Sequence, residues 1–462
     1  MENQQNPLAT KPIGKLIATY AIPSIISMVV NALYNIVDQI FIGHGVGYLG
    51  NAATTVAFPV ITIGLAIALL FGNGCAAYIS LKLGQNDAKD ANHAFAGAVT
   101  VSIIVSIAFM VASLLFIDPL LRLLGATDNI MEYSYQYVSI ILIGQPFVIV
   151  ATLLSNVIRA DGSPKYSMAC MLVGAALNTI LDPIFIFIFD MGVTGAAVAT
   201  VISQIVSLIM AAVYFRKRSK HVHFERRFLK PNGRLLKTVM ALGFSSFATQ
   251  MAITFVNIAL NNSLRHYGAL TPYGSDIPLS AMGIVLKVNG ILISVIIGIA
   301  IGAQPILGFN YGAQNYRRVR QTYLRSILIG TIASSVAWLI FMLIPDVLIR
   351  SFGDNSPEFV AFGEIAFRTF LGALFVAGFQ IVSANYFQAT GHPAKATFLS
   401  MTRQVIILIP LMLLFGYLFG LDGVLYSGMT ADILAASVTL IFILIEMRRL
   451  NKLIQSQEAL AC

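Results

Sequence analysis

The chain has 462 residues, 57% of them hydrophobic and 11% charged, with 29 Lys and Arg against 20 Asp and Glu and a mean hydropathy of +0.81. A soluble domain carries about 25% charged residues, so this composition excludes a water-soluble enzyme, a nucleic-acid binder and a secreted disulfide scaffold, and leaves a polytopic membrane bundle. The net charge of +9 is a topology signal in such a chain. Cys75 and Cys170 sit in apolar stretches and Cys462 is the last residue, which suggests neither a disulfide framework nor a metal cluster. Met1 to Pro12 is polar, and the apolar stretch after it is too long for a signal-peptide core. It reads as a retained first span.

Crossing a bilayer as helix takes about 20 mostly apolar residues, and twelve such stretches follow in chain order: 13–42, 52–82, 94–120, 133–157, 166–189, 194–215, 236–262, 279–306, 322–348, 361–388, 397–419 and 424–446. The runs are continuous and do not alternate with a period of two, which favours helices over barrel strands. Loops and flanks on one side hold 24 of the 29 basic residues, among them Arg403 and the cluster from Arg216 to Lys237. The other side holds Arg122, Arg265 and Arg350, while Lys287 and Arg368 fall inside spans. The positive-inside rule then places both termini in the cytoplasm. The expected units are a cytoplasmic N-terminus (1–12), a six-helix lobe (13–215), a basic linker (216–235), a second six-helix lobe (236–446) and a cytoplasmic tail (447–462).

Displacing the sequence by 222 to 229 positions brings similar features into register. Gly74 falls on Gly302, Gly84-Gln-Asn-Asp on Gly312-Ala-Gln-Asn, Asn156, Gly162 and Pro164 on Asn385, Gly391 and Pro393, and Gly192 to Gly195 on Gly420 to Gly423. Six spans separate equivalent points, so the halves share one orientation and are related by an axis near the membrane normal, as in secondary transporters with a site between two lobes. The Gly84 and Gly312 stretches read as turns, because no P-loop lysine follows and no strand precedes them.

Ionisable groups at bilayer depth mark ion or substrate pathways by default. Asp38 lies near the outer end of the first span, Asp182 in the outer part of the fifth and Asp432 in the twelfth. At 1.5 Å per residue, Asp38 is roughly 6 Å and Asp182 roughly 10 Å from the ends of their spans, so both carboxylates can face one cavity in the outer half of the first lobe. Asn35 precedes Asp38 by three residues and Asn178 precedes Asp182 by four, which puts each amide on the face of its carboxylate. Thr200 in the sixth span adds a hydroxyl. Such an oxygen set suits a proton or a small hard cation. The repeat places Leu260 and Pro410 opposite Asp38 and Asp182, so the pair has no counterpart in the second lobe. Lys287, Asp432 and Arg368 are candidate substrate contacts or charge partners, with Glu364 one turn before Arg368 as its expected mate. Pro23 lies in the helix of Asp38 and is the expected hinge.

Twelve spans, a six-plus-six repeat, Asp38 in the first span and the Asn178-x-x-x-Asp182-Pro183 element in the fifth together resemble the multidrug and toxic compound extrusion (MATE) family. The resemblance covers essentially the whole chain and is closest to its DinF-like branch of MepA-type bacterial efflux pumps. It implies an all-α integral membrane protein of two six-helix lobes with pseudo-two-fold symmetry. It also implies alternating-access efflux of organic cations in exchange for H+ or Na+, with no cofactor, from a monomer embedded in the lipid of the bacterial cytoplasmic membrane. Carried over by position, the cation site is Asp38, Asn178, Asp182 and Thr200, with Tyr137 and Asn156 as weaker neighbours. A family branch with an acidic residue in span seven has no match here, because Phe244 to Asn262 contains none. The rival transporter reading, a lipid-linked precursor flippase of the same superfamily, calls for a basic central cavity, whereas the embedded pair here is acidic. An enzyme is not expected, since no HExxH or GxSxG element is present.

Overall fold

A computed structural model describes residues 6–46, 48–124, 126–351 and 356–461, and every regular element among them is helical. Cys462 and residues 1–5 of the expected N-terminal segment lie outside the described residues. The first lobe consists of α1 (Ile13–Val46), α2 (Tyr48–Gly84), α3 (Ala88–Leu115), α4 (Asp128–Ala160), α5 (Pro164–Pro183) and α6 (Gly192–Lys217). The second begins with α7 (Gly233–Gly268), α8 (Asp276–Gly312) and α9 (Tyr316–Leu343). Helix α10 is in two pieces, Pro357–Phe370 and Ala377–Ala389, and the span bends by 44° between them. The last helical run, Pro393–Ala459, is divided at Gly420, whose φ of 63° and ψ of −139° no helix permits. It gives α11 (393–419) and α12 (421–461).

Most helices begin a few residues before their apolar limits, because hydropathy reports the hydrocarbon thickness and a helix continues into water. The stretch expected as a tail is part of this, with α12 helical through Ala461. The helices of spans three and nine, by contrast, end at Leu115 and Leu343, short of the expected 120 and 348, and are followed by separate short helices. Span ten departs from expectation in its break at 371–376. In α5 the helix widens into a π turn, Ile184–Ile188, directly after Pro183, and α11 carries another at Thr402–Leu408.

The repeat is visible in the backbone. Asn86 and Gln314, 228 residues apart, both adopt positive φ (59° and 58°). The next residues, Asp87 and Asn315, both accept from backbone N–H groups as N-caps of α3 and α9. Lys82 Nζ bonds Asp87 at 2.8 Å and Asp90 at 3.0 Å, which holds the Asp87 carboxyl below its usual range. Gly162 and Gly391 form a second equivalent pair of left-handed turns (88° and 81°).

The lobes meet through α1 against α8 and α2 against α7 and α8. The contacts are backbone to backbone. A Cβ at Gly74 would collide with the Val239 carbonyl and Gly243, and one at Gly302 with the backbone of Ala21; these are repeat-related contacts. Likewise Gly84 presses on Phe309 of α8 and Gly312 on Leu81 of α2. Polar bonds join them, from Asn73 Nδ2 to Ser246 Oγ (2.9 Å) and from Gln304 Nε2 to the Asn73 carbonyl (3.2 Å). Asn310 and Arg318 donate to the Leu8 carbonyl and Arg318 also to that of Lys11, while Gln457 donates to the Gln314 carbonyl, so both described chain ends lie on one face. We call it the basic face.

Beneath the basic face the hydrophobic core is shared, running from Ile17, Phe71 and Leu153 into Val239, Leu242, Ile306 and Phe309 of the second lobe. Toward the other face, each lobe has a core of its own. Ile42, Val56, Tyr137 and Ile186 pack in the first lobe, and Leu260, Met282, Phe341 and Phe367 in the second. The lobes are therefore joined at the basic side and part toward the opposite face.

The basic linker is docked on the first lobe. Fully buried Asp161 accepts the backbone N–H groups of Lys220 (2.8 Å), His221 (2.7 Å) and Val222 (2.8 Å) and the Tyr214 hydroxyl (2.7 Å). Asn92 accepts the His223 N–H and donates to Glu225 Oε1. Losing charge-assisted bonds of this kind costs about 1.5–3 kcal/mol each. Asp161→Ala is expected to accelerate tryptic cleavage between Arg216 and Arg234 about tenfold or more, since local opening sets the cleavage rate. Limited proteolysis followed by mass mapping measures it, and an unchanged rate would mean the linker is held by other contacts.

Candidate functional site

Two acids converge inside the first lobe because α1 packs on α5. Asp38 and Asp182 are within side-chain hydrogen-bond reach of each other. Asp182 is fully buried and Asn178 2% exposed. The i,i+4 spacing on α5 works as the sequence suggests, for Asn178 Nδ2 donates to Asp182 Oδ1 at 3.1 Å and to Thr200 Oγ1 of α6 at 3.2 Å. Three buried oxygens are left without a donor, namely Asp38 Oδ1, Asp182 Oδ2 and Asn178 Oδ1. Buried acceptors are normally satisfied, and two carboxylates in contact, with no basic side chain beside them among the described residues, need a shared proton or a bound cation between them.

Local structure aims these groups. Pro183 supplies no N–H for the carbonyl of Thr179, and the chain passes into the π turn immediately after it. π turns change helix register and recur at functional sites. Helix α1 extends to Val46, so Asp38 lies about 12 Å from the helix end, and Asp182 lies about 9 Å from the end of its π turn. They are at comparable depth, and Asp38 is deeper than the apolar limits alone imply.

The other expected residues divide. Buried Tyr137 of α4 is within electrostatic reach of both carboxylates. So is Tyr34, which the sequence reading missed although it stands one helical turn before Asp38. Asn35 is exposed and donates to the Asn31 carbonyl at 2.6 Å, away from the acids. Asn156 does not join them either. It is 19 residues beyond Tyr137 on α4, about 28 Å along the axis, and it accepts from buried Arg159 at 3.1 Å. Buried Pro23 sits between Ala21 and Ile25, the residues whose backbones press on Gly302 and Gly298 of α8.

In the second lobe the charges are arranged differently. Buried Asp432 of α12 is ion-paired through Oδ1 with Arg403 Nε. Its backbone carbonyl accepts from Gln380 of α10. Arg403, counted from sequence as a basic flank, lies ten residues into α11 and is an embedded cation. Arg368 pairs with Glu364 at 3.7 Å, as their spacing suggests. Lys287 of α8 has no ion pair among the described residues and is exposed, although it stands eleven residues, about 17 Å, into the helix. An ammonium at that depth facing lipid costs about 2.5–3.5 kcal/mol or more.

The chain is 27% identical over 440 residues to the multidrug export protein MepA of Staphylococcus aureus, covering 95% of each protein. It is 25% identical over 435 residues to MepA of Staphylococcus haemolyticus, covering 93% of each. Among solved structures, one described as the outward-facing conformation of a multidrug resistance MATE family transporter superposes with a TM-score of 0.90 at 25% identity, over 98% of this chain and 100% of that one. The family model MatE matches residues 23–184 and 245–414, one segment in each lobe. With most of its length matched and both lobes represented, the chain belongs to the MatE family of membrane transporters.

Proposed function

We propose that the protein is a multidrug efflux antiporter that exports organic, mainly cationic amphiphiles in exchange for H+ or Na+. The observation that carries this reading is the contact between half-buried Asp38 and fully buried Asp182, which have unpaired buried oxygens and no basic partner among the described residues. The printed function of the MepA relatives supports the export half of the reading. The membrane is the bacterial plasma membrane, and the basic face is cytoplasmic by the positive-inside rule. The working units are the lobes 13–215 and 236–446, moving against one another as a monomer.

In this state the cleft opens away from the basic face, to the outside. A proton or Na+ entering from there occupies the Asp38, Asp182, Asn178 and Thr200 oxygens and removes the repulsion between the acids. Helix α1 then repacks around Pro23, which lies against the α8 contact, and the altered lobe contact favours drug release and return to the inward-open state. Substrate taken from the cytoplasm displaces the cation. One charge crossing about 100 mV releases about 2.3 kcal/mol before any concentration gradient is counted. The second lobe takes no coupling ion, because Arg403 already neutralises Asp432.

Asp182→Asn is expected to lower gradient-driven uptake of a fluorescent organic cation into proteoliposomes by at least about tenfold, the scale of one lost charge-assisted contact, with normal yield of folded protein. Separately imposed pH and Na+ gradients identify the coupling ion in the wild type, and undiminished transport by the variant would sink the carboxylate assignment. Arg403→Gln leaves a buried carboxylate unpaired, which costs about 3–5 kcal/mol. It should lower the thermal unfolding midpoint in detergent, and Arg403→Gln with Asp432→Asn should recover most of the loss. An unchanged midpoint for the single variant would show that the pair is solvated.

A further inference from the structure

Among the described residues, Lys287 is an embedded charge that has no ion-pair partner. Helix α8 packs into its own lobe with Ala281, Met282 and Val285, all buried. Lys287 is two residues past Val285, so at about 100° per residue it points about 160° away from that packing. Gly298, which touches Ile25 of α1 in the other lobe, is eleven residues further on. Eleven residues are three turns plus about 20°, so Lys287 and Gly298 share one face of α8. Gly283, Gly290 and Ser294 lie on the same stripe. At Gly298 the stripe is closed against α1, whereas a Cβ added at Gly283 or Gly290 would meet nothing. Lys287 therefore projects between the lobes where they have parted, with open space on both sides of it along the helix. Its azimuth is that of the lobe contact, which accounts for an exposed ammonium at bilayer depth.

The two lobes thus carry opposite embedded charges, one set buried behind the first lobe's surface and the other exposed in the opening. The first lobe holds a carboxylate pair, and the second presents an exposed ammonium, while its embedded Arg403 and Asp432, and Arg368 and Glu364, are paired with each other. We propose that Lys287 is a specificity-determining residue that binds a carboxylate on the transported molecule, so that the cleft accepts zwitterionic amphiphiles as well as plain cations. A lysine on a flexible stem can make a charge-assisted hydrogen bond to a carboxylate without demanding a fixed geometry. The flanking glycines leave room for a bulky aromatic body beside it. This assignment rests on the efflux reading and adds the substrate's second charge to it.

A matched pair of dyes tests it: a rhodamine methyl ester, which is a plain cation, and the same rhodamine as its free acid, a zwitterion. Binding to purified protein in detergent is followed by fluorescence anisotropy. In Lys287→Gln the ratio of the free-acid to the methyl-ester dissociation constant should rise about tenfold, and Lys287→Arg should keep the wild-type ratio. An unchanged ratio in Lys287→Gln overturns the proposal. So does failure of the wild type to bind the free acid, or a ratio that follows added phosphatidylglycerol and ignores the dye's carboxylate, since a lipid phosphate would then be the occupant. Because binding needs no gradient, a protein that binds both dyes as described but moves neither in proteoliposomes would refute the efflux reading and leave the Lys287 assignment standing.

Discussion

Two carboxylates held in contact, one fully and one half-buried, with no base beside them among the described residues, are the constraint around which the first lobe is organised. Neither can be left fully charged beside the other at that depth, so the site has a standing demand for one mobile positive charge. The groups close by are polar side chains set in an apolar wall. Asn178 spends both amide hydrogens on Asp182 and Thr200 and leaves its oxygen free, while Tyr137 and Ile186 belong to the surrounding apolar core. The second lobe meets the same difficulty with a covalently tethered cation, Arg403 on Asp432. The asymmetry between an acid pair without a basic partner among the described residues and one fixed by Arg403 separates two halves that otherwise share backbone geometry down to their left-handed turns.

A demand for a cation drives transport only if its satisfaction alters the contact between the lobes. Asp38 is on α1, and the lower part of α1 carries Ala21, Pro23 and Ile25 at the close approach to Gly298 and Gly302. The same helix therefore carries one of the paired acids and touches the interface. Glycines there bring main chains into direct contact, so small changes in α1 cannot be absorbed by side-chain rearrangement and must move a lobe. The interface is dense at the basic face and absent from the cores of the opposite half, the pattern of a hinge on one side and an opening on the other. The opening is the space into which Lys287 projects.

Much of this was legible in the sequence, for reasons that particular residues make plain. Twelve spans and two lobes follow from hydropathy and from an offset that Gly74 and Gly302 both obey. Asn178 and Asp182 were legible because i,i+4 spacing fixes their shared face. Tyr34 bears the same relation to Asp38 and could have been found by it. Asn156 was placed with the acids by resemblance, although its distance from Tyr137 along one helix already argued against it. Asn35 shares a face with Asp38 only in an ideal straight helix; in the protein its amide turns to the Asn31 carbonyl. The docking of the linker had no local signal, because it comes from Asp161, a residue distant in sequence that accepts three of its N–H groups. Arg403 looked like part of a basic flank because hydropathy is blind to a partner 29 residues away. The bend in α10 follows no proline; Gly372 lies in it, and Trp338 and Ser334 of α9 donate to the freed carbonyls of Gly372 and Phe375.

The most direct test of the account is a count of the ions displaced when substrate binds. Purified protein in a weakly buffered solution, with a pH indicator and a Na+-sensitive electrode, is titrated with a permanently charged organic cation. The account predicts release of about one H+ or one Na+ per substrate bound by the wild type, as befits a pair that titrates as one coupled unit. It predicts none from Asp38→Asn with Asp182→Asn. The same release from the double variant would contradict the claim that these two carboxylates hold the exchangeable charge.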